Sequence, residues 1–367
     1  MALGQESSSQ PVRDLDALLG LLARERLPEE VPDRVLAAAE RAGVLDLLAE
    51  DGRFRERLGP RAGAYLMNAA VGALRLSELG RIAAALDAAG IRAAPLKGMS
   101  YALLFERGGP LRPMADTDIL VPERDYARAA AVLESLGYRP FELNPMFRAR
   151  DFHECALHNG KLLVEIHRYF LPPLRLDVDY DALWARCERC EIEPSGAIRA
   201  LSPGAPHRLA SGNGRGAMCY LLCPDDMLVY HCLHMGAHEF VLGGLRALVD
   251  LVRLLGREGL SMETASARAR AWGCAKMCWC ALGLAETCFP GSVAVRDRAR
   301  FSPGPVAARA LERFVIGPAV EALTEPGLLP RAEQLFRKAL LVDRVDFGLR
   351  YLAWYLRERI RILVPGS

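Results

Sequence analysis

Two aspartates one residue apart, Asp116 and Asp118, are the residues whose types and spacing point most directly to chemistry. They stand at the entry to a short apolar run, Ile119 to Val121, that is typical of a β-strand. Side chains at positions i and i+2 project from the same face of a strand, so the two carboxylates are expected side by side. Because two like charges held close together make each other harder to ionise, such a pair is commonly neutralised by a divalent cation. Mg²⁺ accepts carboxylate ligands and leaves room for phosphate oxygens.

A third acid, Glu165, lies inside another strand-like segment, KLLVEIH at 161–167. An acid among apolar residues is costly unless it is paired or binds a metal. Strand alternation places Glu165 on one face with Leu163 and His167. If this strand runs beside the first, three carboxylates could hold two metal ions about 3.5–4 Å apart, which can stabilise a leaving pyrophosphate. The alternative for the aspartate pair is a chance Asp-x-Asp that caps a turn or a helix.

The elements that must position these acids follow from periodicity. Residues 15–50 have helical spacing with a break at Pro28 and Pro32, and a second helix is predicted over 62–89, ended by Gly90. Residues 91–170 mix short strands with helices, and the residues from 217 onward are again helical in period. We therefore predict an N-terminal helical segment at 1–60, a core at 61–195, a linker or long loop at 196–215, and an all-α domain at 216–367.

Composition excludes some classes of function. The chain has 47 basic and 45 acidic residues, so no strong attraction to nucleic acid is expected. The first residues lack the apolar stretch of a secretory signal, and no run is long and apolar enough to span a membrane. The ten cysteines have no paired spacing along the chain and are expected to be reduced and mostly buried. These features together predict a cytoplasmic protein.

Three motifs carry a resemblance to a known family: LKG at 96–98, RPMADTDILV at 112–121 and VEIH at 164–167. In this order they resemble uncharacterised bacterial nucleotidyltransferases of the DNA polymerase β-like superfamily, over roughly 80 residues at the core. The resemblance implies an α+β fold, with a small mixed β-sheet nucleotidyltransferase core flanked by helices. It also implies that Asp116 and Asp118 are the metal-binding pair and that Glu165 is the third catalytic acid.

The glycine motif departs from the superfamily pattern, because Gly98 is followed by Met99 and lies further than usual from Asp116. We expect the triphosphate to be held by backbone N–H groups from Gly98 to Ser100 at a helix start, with the charge of Lys97 and the hydroxyl of Ser100. The alternative for Lys97 is a solvated surface lysine. A second basic residue, Arg112, could neutralise phosphate or pair with a nearby acid.

The activity implied is a magnesium-dependent (or Mn²⁺-dependent) transfer of a nucleoside monophosphate from an NTP, expected to be ATP, to an acceptor that the sequence does not identify. Two other classes of function stay open: a non-catalytic member that binds nucleotide or a partner, and an antitoxin-like regulatory module. The sequence does not identify the preferred base, the acceptor or the oligomeric state.

Two other segments have possible functional interpretations that are weakly supported. The pair Cys187 and Cys190 forms half of a zinc-ribbon pattern, with no second pair at the required spacing. The basic stretch 344–364 fits either a membrane-surface helix or a helix packed on its own domain.

Three histidines, His231, His234 and His238, share one helical face. They could bind metal, line a cleft or be hydrogen-bonded within the helical domain, and the favoured interpretation is that they are core histidines whose hydrogen bonds are satisfied.

Overall fold

The structure is a computed structural model that describes residues 10–22, 31–49, 58–105, 112–141, 153–172, 176–192, 198–200, 217–238, 240, 244–324, 331–344, 346, 349–350, 353–354 and 356–357. These residues form helices and two small sheets, which confirms the predicted α+β class. Among the described residues, no helix has the length and apolarity needed to cross a membrane.

The α-helices of the described residues, numbered in chain order, are α1 Gln10–Leu22, α2 Asp33–Arg41, α3 Leu45–Ala49, α4 Ala62–Ala88, α5 Lys97–Phe105, α6 Tyr126–Ser135, α7 Tyr180–Arg186, α8 Pro224–Ala237, α9 Gly244–Leu255, α10 Met262–Trp272, α11 Ala275–Cys288, α12 Val295–Ala299, α13 Pro305–Leu311, α14 Gly317–Thr324 and α15 Arg331–Leu341. Short 3₁₀ turns precede α4 and α6, and a π-helical segment, Glu312–Ile316, joins α13 to α14.

The strands are β1 Ala94–Pro95, β2 Thr117–Leu120, β3 Arg139–Pro140, β4 Glu154–His158, β5 Leu163–His167, β6 Glu188–Ile192, β7 Ile198–Ala200 and β8 Ala217–Leu221. The first five form one mixed sheet in the order β1-β2-β5-β4-β3. Within it β2 and β5 run parallel, and the other neighbouring pairs are antiparallel.

The core beneath this sheet comes from one face of each central strand. In β5, Val164 and Ile166 are buried and pack with Ile119 of β2. Apolar residues of α4 and α6, among them Leu86 and Leu133, join the same cluster. Since side chains alternate along a strand, burying these residues on one face turns Asp118 of β2 and Glu165 and His167 of β5 to the other.

The second sheet has three antiparallel strands in the order β7-β6-β8. Strand β8 lies where the sequence predicted helical structure, so the helical region predicted to begin at 216 begins at Pro224 in the structure. Strand β7, at 198–200, falls inside the predicted linker, and residues 196–197 and 201–215 lie outside the described residues.

The chain divides into two compact units, each built from separate stretches of sequence. One contains 1–65, 232–257 and 275–341, and the other contains 66–231, 258–274 and 342–367. The first is helical in its described part, and within it Arg246 of α9 forms a buried ion pair with Asp46 of α3. The second holds both sheets and every residue of the candidate site described below.

All ten cysteines are free thiols, and most are buried, in agreement with the sequence. The Cys-x-x-Cys pair is divided: Cys187 donates to the carbonyl of Leu183, whereas the Sγ of Cys190 lies 2.8 Å from the Sγ of Cys219. Most of the basic stretch 344–364 is outside the described residues, although Trp354 within it is buried.

Candidate active site

The parallel pair of strands β2 and β5 brings two of the predicted acids together. Asp118 and Glu165 are direct partners in the strand register, although 46 residues separate them in the chain. Partners in a parallel register share a face of the sheet, and both side chains lie opposite the apolar face formed by Ile119, Val164 and Ile166. Both carboxylates are buried. The condition set from the sequence, that the strand of Glu165 runs beside the strand of the aspartates, holds in the structure.

The third predicted acid, Asp116, immediately precedes β2 and is half-buried. Burial raises the pKa of its carboxyl to about 6, and repulsion from the nearby charge of Asp118 adds to the shift. Attraction from Lys97 opposes it. Asp116 is thus within electrostatic reach of Asp118, Glu165 and Lys97, at the point where β2 begins.

The ammonium group of Lys97 neutralises the acid pair. Its Nζ donates to Asp118 Oδ1 at 2.5 Å and lies 3.8 Å from Glu165 Oε2. Burial alone would lower the pKa of Lys97, but attraction to Asp118 outweighs burial and the pKa is raised. The same pairing, with help from His167, holds the pKa of Asp118 below its ordinary value despite complete burial.

Local backbone geometry aims Lys97 at the acids. Its φ of 47° lies in the left-handed region, which costs a non-glycine residue about 1–3 kcal/mol. The chain can hold this conformation because the Leu96 N–H donates to the Asp118 carbonyl and the lysine side chain reaches the Asp118 carboxylate. The solvated surface lysine considered from the sequence is not what the structure shows.

The glycine turn is packed closely from one side. A Cβ placed on Gly98 would lie 3.0 Å from Met114 Sδ and 3.8 Å from Arg112 Nε, so the lack of a side chain lets the segment before β2 cover the start of α5. Ser100 is buried, its hydroxyl donates to the Lys97 carbonyl, and its N–H is bonded to the carbonyl of Leu96. Ser100 therefore supports the turn from within.

A buried row of side chains continues from this turn. The guanidinium of Arg112 lies 5.5 Å from the ring centre of Tyr101, and the Tyr101 hydroxyl is 2.7 Å from His231 Nδ1. Arg112 and His231 are both buried. Of the three histidines predicted on one helical face, His231 is therefore hydrogen-bonded in the core, as the favoured interpretation expected. The rings of His234 and His238 lie against each other, with centres 4.7 Å apart.

Sequence reasoning missed the part that His167 plays, although it quoted this residue in a motif. His167 Nε2 lies 2.8 Å from Asp118 Oδ1 and 3.7 Å from Glu165 Oε2. Burial opposes protonation, but hydrogen bonds to Asp118 and Glu165 raise the pKa of His167 to about 9. The alternation that placed Glu165 on this face also places His167 there, so the signal was present in the sequence.

Two other contributors carried no sequence signal. Tyr230 of α8 is fully buried close to Asp118 and Glu154. Burial is the main cause of its raised pKa, and the negative charges of these two acids add to the shift. Arg75 of α4 is also buried, and its Nη2 donates to the carbonyl of Ala115, next to Asp116. Helical spacing alone cannot show which of many apolar-flanked polar residues on α4 and α8 turn toward a sheet.

This arrangement can hold a divalent cation. Asp118 and Glu165 offer carboxylate oxygens, the ligand type that Mg²⁺ and Mn²⁺ prefer, and they already share one positive charge in the Lys97 ammonium. Asp118, Glu165 and His167 each place a ligand atom within 4.8 Å of the other two. The donor set therefore fits a cation bound on the polar face of the sheet where β2 and β5 lie side by side.

Comparison with known proteins shows the family of the chain. Residues 28–290 match the family described as "Uncharacterised nucleotidyltransferase". The chain belongs to this family of nucleotidyltransferases. None of the curated proteins matches the chain.

Among solved structures, two of the antibiotic-resistance factor ANT(2'')-Ia are similar to this chain. One is a solution structure, with 16% identity and a TM-score of 0.33, and the match covers 55% of this chain and 91% of that one. The other is a crystal structure in complex with adenylyl-2''-tobramycin, with 16% identity and a TM-score of 0.33, covering 54% of this chain and 96% of that one. Likeness at this level bears on neither substrate nor mechanism.

Proposed function

We propose that this protein transfers a nucleoside monophosphate from an NTP, with ATP as the expected donor, to an acceptor hydroxyl or amine, using divalent cations held by Asp116, Asp118 and Glu165. The observation that supports this most is the register of β2 and β5, which sets Asp118 beside Glu165 with Asp116 two residues before Asp118. Two such ions, Mg²⁺ or Mn²⁺, would stabilise the charge that develops on the attacking atom of the acceptor and on the leaving pyrophosphate oxygen.

The residues of the chain have separate tasks in this proposal. Asp116, Asp118 and Glu165 bind and orient the cations. Lys97 now neutralises the acid pair, and cation binding would free its ammonium to turn toward the triphosphate.

Phosphate contacts are proposed at the turn that follows β1. Gly98 and Met99 lie in the first turn of helix α5, where N–H groups have no partner within the helix, and the Cα of Gly98 lies next to the segment that carries Arg112. Ser100 takes an indirect part, because its hydroxyl and N–H are already bonded inside the turn. Arg112, placed against Tyr101, would add positive charge at this end of the site.

The proposal is tested by incubating the protein with each of four α-labelled NTPs, Mg²⁺ and a cell extract as the source of acceptor. We expect label to appear in a product and pyrophosphate to be released by the wild type, and neither by Asp116→Ala/Asp118→Ala. Glu134→Gln is the matched control, since Glu134 is an exposed acid on α6 in the same unit. This variant should behave as the wild type.

The two alternative functions give other results in the same experiment. A non-catalytic nucleotide-binding protein would bind NTP in equilibrium dialysis and release no pyrophosphate. An antitoxin-like module that masks a partner protein would bind no NTP, and the double variant would change nothing. Either result overturns the enzymatic proposal.

A further inference from the structure

A second group of metal-ligating side chains lies beside the acid pair, on the other side of His167. Glu154 Oε2 is 3.2 Å from His167 Nδ1 and 3.2 Å from His153 Nε2. The three ligand atoms lie within 4.8 Å of one another. Glu154 opens β4 and is the register partner of His167 in β5, so the antiparallel pairing of these strands fixes the group.

The Nδ1 of His167 lacks a hydrogen bond among the described residues. His167 is 2% exposed, and its Nε2 is taken by Asp118 at 2.8 Å. Its Nδ1 approaches Glu154 without hydrogen-bond geometry, and among the described residues no hydrogen bond reaches this buried atom. A buried ring nitrogen without a partner is costly, and a metal ion is one of the groups that can satisfy it.

We propose that His153, Glu154 and His167 form a binding site for one divalent transition-metal ion of the zinc class, distinct from the carboxylate site of Asp116, Asp118 and Glu165. His167 binds this ion through Nδ1. The imidazole then keeps its hydrogen on Nε2 and donates it to Asp118, so that the carboxylate orients the ring of a metal-bound histidine.

The distances fit a small coordination sphere. Zinc binds histidine nitrogen and carboxylate oxygen at about 2.0–2.2 Å, which puts neighbouring ligand atoms of a tetrahedral site about 3.3–3.6 Å apart. The two contacts made by Glu154 Oε2, at 3.2 Å each, are close to that separation without rearrangement of the strands.

The ligand set selects the metal. Two imidazole nitrogens with one carboxylate oxygen suit zinc, cobalt or nickel, whereas magnesium prefers oxygen ligands and ordered water. The side chains of His153 and Glu154 are 12% and 14% exposed, compared with 2% for His167. The ion would therefore enter from the His153 side, where a water molecule can occupy the fourth position.

The test is titration of the full chain, without a polyhistidine tag, with Co²⁺ and with Zn²⁺ after removal of metals by chelation. Four-coordinate Co²⁺ absorbs visible light strongly enough to report its geometry, and elemental analysis after dialysis gives the Zn²⁺ stoichiometry. With excess Mg²⁺ present to fill the carboxylate site, we expect one Co²⁺ per chain with a four-coordinate spectrum, and displacement of this Co²⁺ by Zn²⁺ but not by further Mg²⁺.

Two variants separate this site from the carboxylate site. His153→Ala removes a ligand of the proposed site alone and should weaken Co²⁺ binding at least about 10-fold. Glu165→Gln removes a ligand of the carboxylate site alone and should retain the Co²⁺ spectrum. His158→Ala is the matched control, because His158 ends β4, the strand that begins at Glu154, and lies outside the proposed ligand group. This variant should bind Co²⁺ as the wild type does.

Three results would overturn the site: a wild type that binds no Co²⁺, a His153→Ala variant that binds it as tightly as the wild type, or a spectrum lost in Glu165→Gln and kept in His153→Ala. The last would assign the ion to the carboxylates. Because the readout is metal binding, failure here leaves nucleotidyl transfer untouched, and failure of nucleotidyl transfer leaves this site untouched.

Discussion

Asp118 and Glu165 are register partners on the parallel strands β2 and β5, and a single ammonium group, that of Lys97, lies within 3.8 Å of both carboxylates. Two buried acids on one face of a sheet would repel each other strongly without a cation between them. The Lys97 ammonium fills that need in the metal-free protein. This relationship links the stability of the central strand pair to the cation chemistry that we propose there.

The first prediction concerns Lys97→Met. Removing the ammonium leaves the buried carboxylates of Asp118 and Glu165 with His167 as their remaining positive partner among the described residues, so the free energy of unfolding should fall by about 3 kcal/mol in the presence of EDTA. Saturating Mn²⁺ should restore most of this loss, because a bound cation supplies the missing charge. Urea unfolding with EDTA and with Mn²⁺ measures both effects. An equal loss under the two conditions would contradict cation binding by these acids.

The second prediction is a pH dependence of metal affinity. The pKa of Asp116 is raised to about 6, so this carboxyl is largely protonated at pH 5 and ionised at pH 7. A cation must displace the proton, and affinity for Mn²⁺ should therefore rise by up to about 10-fold per pH unit below 6 and level off above it. Calorimetric titration between pH 5 and 8 measures the profile. Asp116→Asn should have weaker affinity and lack this rise, and a rise that persists in this variant would remove Asp116 from the site.

How much of this site could be predicted from sequence depends on whether local spacing or long-range pairing determines the position of each residue. The period of two along 161–167 fixes the face of Glu165, and two-residue spacing fixes Asp116 relative to Asp118, so both followed from sequence alone. The pairing of β2 with β5 is a long-range contact. The local sequence pattern does not predict which strands pair, so this pairing could only be assumed. The group of His153 and Glu154 was missed because strand β4 had not been predicted.

Other differences have equally local causes. The strand Ala217–Leu221 is a short apolar run, AMCYL, and such a run does not distinguish a strand from a buried helix turn by periodicity. The ion pair of Lys97 depends on a left-handed backbone conformation that is uncommon for lysine. Arg75 shares its helix with many residues of similar spacing, and only the fold shows that it reaches the carbonyl of Ala115.

The third prediction compares two buried arginines. Arg246→Met removes the ion-pair partner of the buried Asp46 carboxylate and should lower the free energy of unfolding by about 3–5 kcal/mol. Arg75→Met should change it by less than about 1 kcal/mol. The structure gives Arg75 one hydrogen bond to a carbonyl, and its Nε and Nη1 have no hydrogen-bond partner among the described residues.

Urea unfolding of both variants measures the difference between these arginines. A large loss of unfolding free energy in Arg75→Met would mean that Arg75 forms an ion pair that the structure does not show. Asp116, whose charge attracts Arg75, would be the expected partner. A small loss for Arg246→Met would contradict the buried ion pair.

The fourth prediction concerns the hydrogen bond between Tyr101 and His231. Tyr101→Phe removes the hydroxyl and leaves a buried imidazole nitrogen unsatisfied, so the free energy of unfolding should fall by about 1–3 kcal/mol. A double-mutant cycle with His231→Leu should give a coupling energy of about 1 kcal/mol between the two residues. Additive losses would show that the two groups are independent.

The central claim, that Asp118 and Glu165 hold a divalent cation at the site of a nucleoside triphosphate, is tested most directly by calorimetric titration of ATP into the protein with Mn²⁺ and with EDTA. The account predicts that the wild type binds ATP more tightly with Mn²⁺ than with EDTA, and that Asp118→Asn loses this difference, with an affinity for Mn²⁺·ATP at least about 10-fold weaker. Equal affinities of Asp118→Asn and wild type for Mn²⁺·ATP would contradict it.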